Sequence, residues 1–203
     1  MSQPRKVLIV IGHPDGQSYC RAIGDAYAAG LPAGCETELL ALGDLEFDPV
    51  LRYGYRQHMK DDPVIERSQE LVRWAEHIVF VFPVWWTAVP SLLKGWFERV
   101  FTPRFAYNMD NSSLFTLAFR TRRHLKGRTA TVIATYHGPP WYYPLIGCSP
   151  VRVVRRQMLG NCGIKTTQVL RLGWLDSPKK DSQARREAFL AKVTTTAGAL
   201  AKQ

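Results

Sequence analysis

The sequence predicts an α/β protein in which helices cover both faces of one five-stranded parallel sheet, giving three layers. Five short apolar runs alternate with five helical stretches along the chain, which is the pattern of repeated strand–helix–strand units. Several of the runs contain β-branched residues and no polar interruption, as in parallel strands buried on both faces. The length of 203 residues, with 46% hydrophobic and 22% charged residues, suits a single domain covering the whole chain, residues 1–203.

The first third of the chain predicts a strand, a helix and a second strand. Residues 7–11 are apolar and mostly β-branched, and they predict the first strand. Residues 17–31 predict the first helix, because Ser18 stands near its start and Gly30 near its end. Residues 36–41 form a plausible second strand.

A loop and a second helix follow. Residues 45–62 show no clear period and contain Pro49 and Gly54, so we interpret them as a loop excursion. Residues 63–75 predict the second helix, since Pro63 occupies the first turn, where proline is favoured.

The middle of the chain predicts a strand that ends in an aromatic loop. Residues 78–82 form the apolar third strand, which breaks at Pro83. The chain then passes two adjacent tryptophans and restarts at Pro90 as the third helix, residues 90–100.

The last part of the chain completes the alternation. Residues 102–126 are predicted to be irregular, and residues 129–135 predict a β-branched fourth strand. Residues 137–150 are rich in Pro, Trp, Tyr and Gly and predict a loop. The remaining predicted elements are a fourth helix, a fifth strand and a final amphipathic helix, at residues 151–162, 166–172 and 180–202.

Five such units are accommodated by the strand order 2-1-3-4-5, the flavodoxin-like arrangement. In this order the direction of winding reverses between the first and third strands. Ligands of open α/β sheets bind at that point, outside the carboxyl ends of the strands. We therefore expect the loops after the first, third and fourth strands to share one crevice.

The chain is basic, with 27 Lys and Arg, 17 Asp and Glu and a net charge of +10. A solvated surface, attraction of anionic molecules such as nucleotides and nucleic-acid binding are all compatible with this charge. Nucleic acid is the least favoured, since no nucleic-acid module signature accompanies the charge. The clustered basic residues are Arg120, Arg122, Arg123, Lys126, Arg128, Arg152, Arg155 and Arg156.

The cysteines and the apolar runs indicate a cytoplasmic protein. Four cysteines are scattered without CxxC spacing, so we expect reduced thiols with neither a metal site nor a disulfide framework. No apolar run approaches the roughly 18 residues of a membrane span, and no signal peptide is recognised.

The loop after the first strand has the composition of an anion site. Gly12 and Gly16 permit close backbone approach, and the loop opens a helix whose free N–H groups and dipole favour an anion. Ser18 can donate a hydroxyl and His13 an imidazole N–H to a phosphate. The alternative is a plain helix cap by Ser18, with His13 as a solvent-facing residue.

The loops after the third and fourth strands suit a flat ligand. Trp85 and Trp86 could lie along a planar ring, or they could be core or subunit-interface residues. Gly138 allows close approach to a ring, and Tyr142 or Tyr143 could donate a hydrogen bond to a developing oxyanion. Alternatively, this second loop is a rigid aromatic packing loop. Together the three loops suit a flavin nucleotide.

The central motif resembles the flavodoxin-like NAD(P)H:quinone oxidoreductases, the DT-diaphorase family with its short bacterial members. The similarity is carried by Phe82-Pro-Val-Trp-Trp-Thr-Ala-Val-Pro-Ser-Leu-Leu-Lys-Gly-Trp-Phe-Glu-Arg-Val-Phe101, followed by Phe105-Ala-Tyr107. The opening Val7-Leu-Ile-Val-Ile-Gly-His-Pro14 with Ser18 also matches.

The resemblance implies a homodimer that carries one flavin per subunit near the dimer interface, FMN with FAD as the alternative. It implies hydride transfer from NAD(P)H to the flavin, then two-electron reduction of a quinone or similar acceptor, in a ping-pong order. The implied flavin-binding positions are His13, Gln17, Ser18, Tyr19, Cys20, Pro83, Val84, Trp85, Trp86, Thr87, Thr135, Tyr136 and Gly138.

The implied catalytic residue is Tyr143, at the position of the family's active-site tyrosine. Some members carry a histidine shortly after this tyrosine. The present chain has none there, so His137 is the candidate that replaces it. Cys20 also departs from the family, since many relatives carry Asn at its position.

Two other functions stay open. Some relatives are regulatory, redox-sensing subunits of potassium-efflux transporters, and the basic surface could contact an acidic, peripheral partner of that kind. An electron-carrying flavodoxin is less favoured, because true flavodoxins are usually acidic.

Overall fold

A computed structural model of the chain describes residues 6–110 and 120–202. Seven strands lie in this part, and five of them correspond to the predicted apolar runs. In chain order the strands are β1 Lys6–Ile11, β2 Glu36–Ala41, β3 His77–Val84, β4 Tyr107–Asp110, β5 Arg120–Arg123, β6 Thr129–Tyr136 and β7 Lys165–Leu172.

Five of the strands form one parallel sheet in the order β2-β1-β3-β6-β7. Because β6 and β7 are the fourth and fifth predicted strands, the predicted order 2-1-3-4-5 is confirmed. Ile11 pairs with Val81, so β3 continues for three residues beyond the end of β1. Val84 pairs with Tyr136, so β3 and β6 end together. The loops after β1, β3 and β6 therefore leave from the same edge.

The helices pack on both faces of the sheet. A π-helix, Val153–Leu159, joins two short α-helices into one continuous helical segment, residues 150–162. The α-helices are α1 Tyr19–Ala29, α2 Pro63–Trp74, α3 Ser91–Val100, α4 Tyr142–Leu145, α5 Pro150–Arg152, α6 Gly160–Cys162 and α7 Gln183–Gly198. Among the described residues, no helix is both long and apolar enough to cross a bilayer.

Side-chain caps set the start of the three longest helices. The Ser18 hydroxyl accepts the Arg21 N–H at the start of α1. The Asp62 carboxylate accepts the N–H groups of two residues at the start of α2, and Pro63 follows as its first residue. Ser182 caps α7 in the same way as Ser18. The first and last helices therefore begin two and three residues later than predicted.

Side chains from alternating residues of the strands pack into two hydrophobic cores, one on each face of the sheet. On one face, Ile9 and Val81 pack with Tyr27 of α1 and with Phe189 and Val193 of α7. On the other face, the opposite residues of the same strands pack with α2, α3 and the helical segment 150–162, as shown by Val10, Phe80, Phe82, Leu71, Trp96, Phe97, Val154 and Leu159. Because helices cover both faces of the sheet, neither face of β1 or β3 is exposed to solvent. This explains why the sequences of these strands are almost continuously apolar.

Parts of the chain predicted to be irregular contain ordered elements. Within residues 102–126, β4 and β5 form an antiparallel pair, with Tyr107 opposite Arg123. Within residues 137–150, the short helix α4 forms. The predicted helix 151–162 is present, but its middle follows a π-helix rather than an α-helix. Residues 45–62 form turns without regular helix or strand, as predicted.

Candidate functional site

The loop after β1 leads into α1, whose first turn is capped by Ser18 and still has free hydrogen-bond donors. Ser18 accepts the N–H of Arg21, which leaves its own hydroxyl hydrogen available for donation. The first-turn N–H groups of Tyr19 and Cys20 have no possible partner within α1. A Cβ at Gly43 would lie 2.2 Å from the carbonyl oxygen of Pro14, so this loop packs directly on the turn that follows β2. The loop is thus a fixed group of donors suited to an anion.

His13 presents a donor at this loop. Its Nδ1 accepts the backbone N–H of Asp15 at 3.0 Å, so in the neutral ring the proton lies on Nε2. Burial lowers the pKa of His13, against a smaller opposing effect of the Asp15 carboxylate. His13 is therefore a neutral Nε2–H donor at pH 7.

The loop after β3 is a tight hairpin turn with an unusual backbone. Trp85 and Ala88 exchange two backbone hydrogen bonds, of 3.1 Å and 2.9 Å. The two residues between them, Trp86 and Thr87, have φ values of 47° and 60°. Positive φ at both central positions defines a type I′ turn, which strongly favours Asn-Gly. The Trp86 side chain is 98% exposed, so no packing within the chain offsets this conformation.

The loop after β6 brings two aromatic side chains to the same edge. Tyr136 is buried at the end of β6, and its ring centroid lies 4.8 Å from that of Tyr143 in α4. Burial raises the pKa of Tyr136, although the nearby Arg171 acts in the opposite direction. Gly138 accepts the Trp174 N–H with its carbonyl, which anchors the loop to the segment after β7.

The loops after β3 and β6 line one cleft with a volume of about 440 Å³. The rings of His13 and Trp85 contact each other edge to face, with centroids 5.1 Å apart, and so join the anion loop to the cleft wall. This volume lies within the range of small-molecule sites. The cleft is lined by six of the residues predicted from the sequence: Val84, Trp85, Trp86, Thr87, His137 and Tyr143.

Other predicted site residues lie outside the lining of the cleft. The Cys20 side chain is buried against Thr135, with 3.8 Å between Sγ and Oγ1, and burial raises its pKa to about 12. These two side chains therefore form part of the floor beneath the first loop. Tyr19 donates its hydroxyl to the Arg186 carbonyl at 2.7 Å, and burial raises its pKa to about 12. Pro83 lies within β3, and Gln17 is an exposed loop residue.

Arg185 is a charged residue near the site that was not predicted from the sequence. Its Nη2 donates to the Gly173 carbonyl at 2.6 Å, and its charge lowers the pKa of Tyr19, against the larger opposing effect of burial. Its Nη1 is buried without a hydrogen-bond partner in the described structure. A buried donor without an acceptor is costly and therefore indicates an anion or water at this position. No sequence signal could have identified it, because α7 is remote from the loops along the chain.

A larger depression of about 670 Å³ lies elsewhere, between Phe47, Pro63 and Arg99. It contains none of the residues predicted for the site. Four carboxylates and three basic side chains alternate around it, so no single ligand charge is favoured: Glu46, Asp48, Asp61, Asp62, Arg52, Lys60 and Arg99. We place the candidate site in the smaller, aromatic cleft.

Fold and cleft together define an α/β protein that binds a ligand at the switch point of a parallel sheet. The chain matches the family model described as a flavodoxin-like fold over residues 5–195, and it belongs to that family. The family resemblance predicted from the sequence is confirmed.

Two curated relatives carry names of quinone dehydrogenases. NAD(P)H dehydrogenase (quinone) 1 of Cavia porcellus is 33% identical over 128 residues, covering 53% of this chain and 46% of the relative. Ribosyldihydronicotinamide dehydrogenase (quinone) of Rattus norvegicus is 25% identical over 214 aligned positions, covering 92% and 88%. The chain spans about half or less of the length of the first curated relatives that it matches.

Solved structures share the whole architecture. The crystal structure of Smu.1420 from Streptococcus mutans UA159 has a TM-score of 0.79 and 28% identity, covering 95% of this chain and 98% of that one. The similarity therefore extends over all five strands of the parallel sheet.

Proposed function

We propose that this chain binds a flavin nucleotide in the cleft and transfers electrons from NAD(P)H to quinones or similar small acceptors. One observation carries the proposal: a fixed group of anion donors and an aromatic cleft meet where His13 contacts Trp85. A flavin nucleotide combines a phosphate with a flat ring and so matches both parts. The names of the curated relatives support the same reaction class.

The residues present fit the phosphate end of such a ligand. The Ser18 hydroxyl, the His13 Nε2–H and the first-turn amides of α1 can all donate to phosphate oxygens. Arg185 adds a buried, unpaired guanidinium nitrogen near Tyr19. Cys20 contributes through its backbone N–H group, whereas the Gln17 N–H donates to the Asp15 carboxylate at 2.8 Å and Gln17 has only its side chain to offer. The proposed flavin is FMN, with FAD as the alternative.

The residues present also fit the ring end. Pro83, Val84 and the turn Trp85–Ala88 would border the ring on one side, with the 135–138 segment on the other. A Cβ at Gly138 would lie 3.7 Å from the nearest protein atom, the Tyr143 hydroxyl, so the protein itself does not require glycine there. When bound, the flavin would accept a hydride from NAD(P)H and pass two electrons to the acceptor.

Proton supply to the acceptor falls to the two polar side chains that line the cleft. Reduction of a quinone to a quinol requires protons as well as electrons. The Tyr143 hydroxyl and the His137 imidazole both border the cleft and can donate there. We propose Tyr143 as the main donor, with His137 as its partner. Donor and acceptor would occupy the same cleft in turn, which is the physical basis of a ping-pong order.

We further propose a homodimer in the cytoplasm. The homodimer is what the resemblance to the quinone oxidoreductases implies. All four cysteines are free thiols, as is usual in a reducing compartment. The alternative role as a redox-sensing transporter subunit stays a prediction.

Absorbance and mass spectrometry test this proposal. The purified protein should be yellow, and heat should release a pigment whose mass distinguishes FMN from FAD. The colour should bleach under anaerobic conditions on addition of NADPH or NADH. Tyr143→Phe should retain the pigment and lower acceptor reduction at least tenfold, whereas Tyr142→Phe should leave both unchanged. Protein that stays colourless after incubation with FMN and FAD would refute the proposal.

A further inference from the structure

The net charge is confined to one segment. Residues 111–175 contain ten Lys and Arg and no Asp or Glu, whereas the rest of the chain carries 17 basic and 17 acidic residues. The whole formal charge of +10 therefore arises from about a third of the chain. A general surface solvation effect would distribute basic residues more evenly, so this segregation indicates a directional interaction.

The described residues of this segment, 120–175, include the β7 edge of the parallel sheet. They also include β5 and the helical segment 150–162. A Cβ at Gly163 would lie 3.0 Å from Arg123 and 2.9 Å from Lys126, so β5 and the end of this helical segment are adjacent. Six exposed side chains define what we call the basic face: Arg123, Lys126, Arg152, Arg155, Arg156 and Lys165.

The helical segment 150–162 separates an inward face from an outward one. Val154 and Leu159 are fully buried in the core. The outward face carries Arg152, Arg155 and Arg156, and Val153 lies exposed among them. Val153 thus adds an apolar side chain to the arginine cluster.

Exposed apolar side chains continue this face up to the cleft. In the 141–146 segment, Leu145 is 74% exposed and Trp141 is 65% exposed, with Tyr142 and Ile146 also exposed. Tyr143 lies within the same segment and lines the cleft. These exposed side chains therefore lie between the mouth of the cleft and, a few residues further along the chain, the first arginine of the basic face, Arg152.

We propose that this surface docks on an anionic lipid bilayer. Arginine and lysine next to anionic headgroups, with tryptophan, tyrosine and aliphatic side chains at the level of the acyl boundary, are the pattern of interfacial membrane binding. Nucleic acid fits less well, because Leu145, Ile146 and Val153 have no role on a phosphate backbone. Each basic residue near such a surface increases partitioning by roughly fivefold.

Docking in this orientation has a consequence that rests on the proposed function. The cleft would open at the bilayer surface, so the acceptor would be a quinone dissolved in the membrane. The reaction balances as one hydride from NAD(P)H plus one proton, which convert the quinone to a quinol and leave NAD(P)⁺. The docking itself stands on charge and exposure alone.

Vesicle co-sedimentation of the full chain tests the docking without any activity measurement. The protein should sediment with phosphatidylcholine vesicles that contain phosphatidylglycerol, and far less with phosphatidylcholine alone. Arg152→Glu/Arg155→Glu/Arg156→Glu should lower this binding by about 100-fold or more. A matched control, Arg56→Glu/Lys179→Glu/Lys192→Glu, changes the net charge equally but lies outside the segment, and it should retain most of the binding.

A second variant pair addresses the apolar part. Leu145→Ser/Ile146→Ser alters exposed side chains and should fold normally. It should bind anionic vesicles more weakly while leaving reduction of a water-soluble quinone unchanged. Reduction of a long-chain quinone embedded in the vesicles should fall in parallel with binding in both variants.

Several results would overturn the proposal. Equal binding to neutral and anionic vesicles, or no binding to either, would refute it. So would tighter binding to duplex DNA or RNA than to anionic vesicles at the same salt concentration. If the serine variant converts a dimer into a monomer, these side chains form a self-interface and the proposal fails. Normal docking without reduction of any quinone would instead uphold docking and refute the proposed function.

Discussion

The rings of His13 and Trp85 contact each other edge to face with their centroids 5.1 Å apart. They come from loops separated by more than 70 residues in sequence, yet the parallel register brings both loops to one edge of the sheet. The contact joins the donors of the α1 start to the aromatic wall after β3. It makes the phosphate end and the ring end of the candidate site one continuous surface.

A substitution in the turn after β3 should affect the stability of the protein and its flavin affinity in opposite directions. Trp86 has a φ of 47° and is 98% exposed, so its conformation is strained and its side chain packs on little of the chain. Trp86→Asn should raise the free energy of unfolding by about 1 kcal/mol, since Asn is favoured at this position of a type I′ turn. The same change should weaken flavin binding by about tenfold through loss of the aromatic surface.

Urea unfolding and flavin fluorescence titration measure the two effects. Trp141→Asn is the control, because Trp141 is exposed but has an ordinary helical φ of −72°. It should change neither quantity appreciably. A loss of stability in Trp86→Asn would show that the indole has a structural role instead.

Gly138 tests where the ring of the ligand lies. A Cβ there meets nothing closer than 3.7 Å, so Gly138→Ala should change the free energy of unfolding by less than about 0.5 kcal/mol. If a flavin ring occupies the cleft beside it, the added methyl group should lower flavin affinity at least tenfold.

The neighbouring Gly173 supplies the contrast. A Cβ at Gly173 would lie 2.5 Å from the Gly138 carbonyl oxygen and 2.3 Å from Pro140. Gly173→Ala should therefore cost about 1–3 kcal/mol of stability. Unchanged flavin affinity in Gly138→Ala would move the ring away from this loop.

The sheet and the position of the cleft could be predicted from the sequence, because uninterrupted β-branched runs identify buried parallel strands. The strand order then places three loops together. The antiparallel pair of β4 and β5 could not be predicted, since its short strands are polar and their pairing depends on the rest of the fold. Arg185 was missed for a related reason: it reaches the site because α7 packs on α1, where the Thr194 hydroxyl donates to the Ala26 carbonyl.

His77 should make stability depend on pH. It is fully buried between the Thr129 and Thr131 hydroxyls, and burial lowers its pKa to about 4. The unfolded chain therefore binds this proton first as the pH falls below about 6.5. The free energy of unfolding therefore contains the full contribution of neutral His77 above pH 6.5. It decreases by about 3 kcal/mol as the pH falls to about 4.

Urea unfolding between pH 8 and pH 4 measures this dependence. The stability advantage of the natural chain over His77→Gln should shrink by about 3 kcal/mol across that range. His58→Gln serves as the control, because His58 is 88% exposed and should not alter the profile. A constant difference between the natural chain and His77→Gln would mean that His77 does not titrate between these limits.

The unpaired nitrogen of Arg185 allows the contribution of the phosphate to flavin binding to be measured separately from that of the ring. If Nη1 donates to the flavin phosphate, Arg185→Met should lower FMN affinity by about 10- to 100-fold, the value of one charge-assisted hydrogen bond. Riboflavin has the same ring but no phosphate, so its affinity should not change. The stability of the protein without flavin should fall little, since the lost bond to Gly173 is offset by removal of an unsatisfied buried donor.

Arg186 is the matched control for this measurement. It pairs with Asp176 and Asp181 and lies over the ring of Tyr19, with 5.3 Å between the guanidinium carbon and the ring centroid. Because these carboxylates already engage the guanidinium, Arg186→Met should lower stability without a selective loss of FMN over riboflavin. Equal losses of FMN and riboflavin in Arg185→Met would show that Arg185 shapes the cleft and does not bind the phosphate.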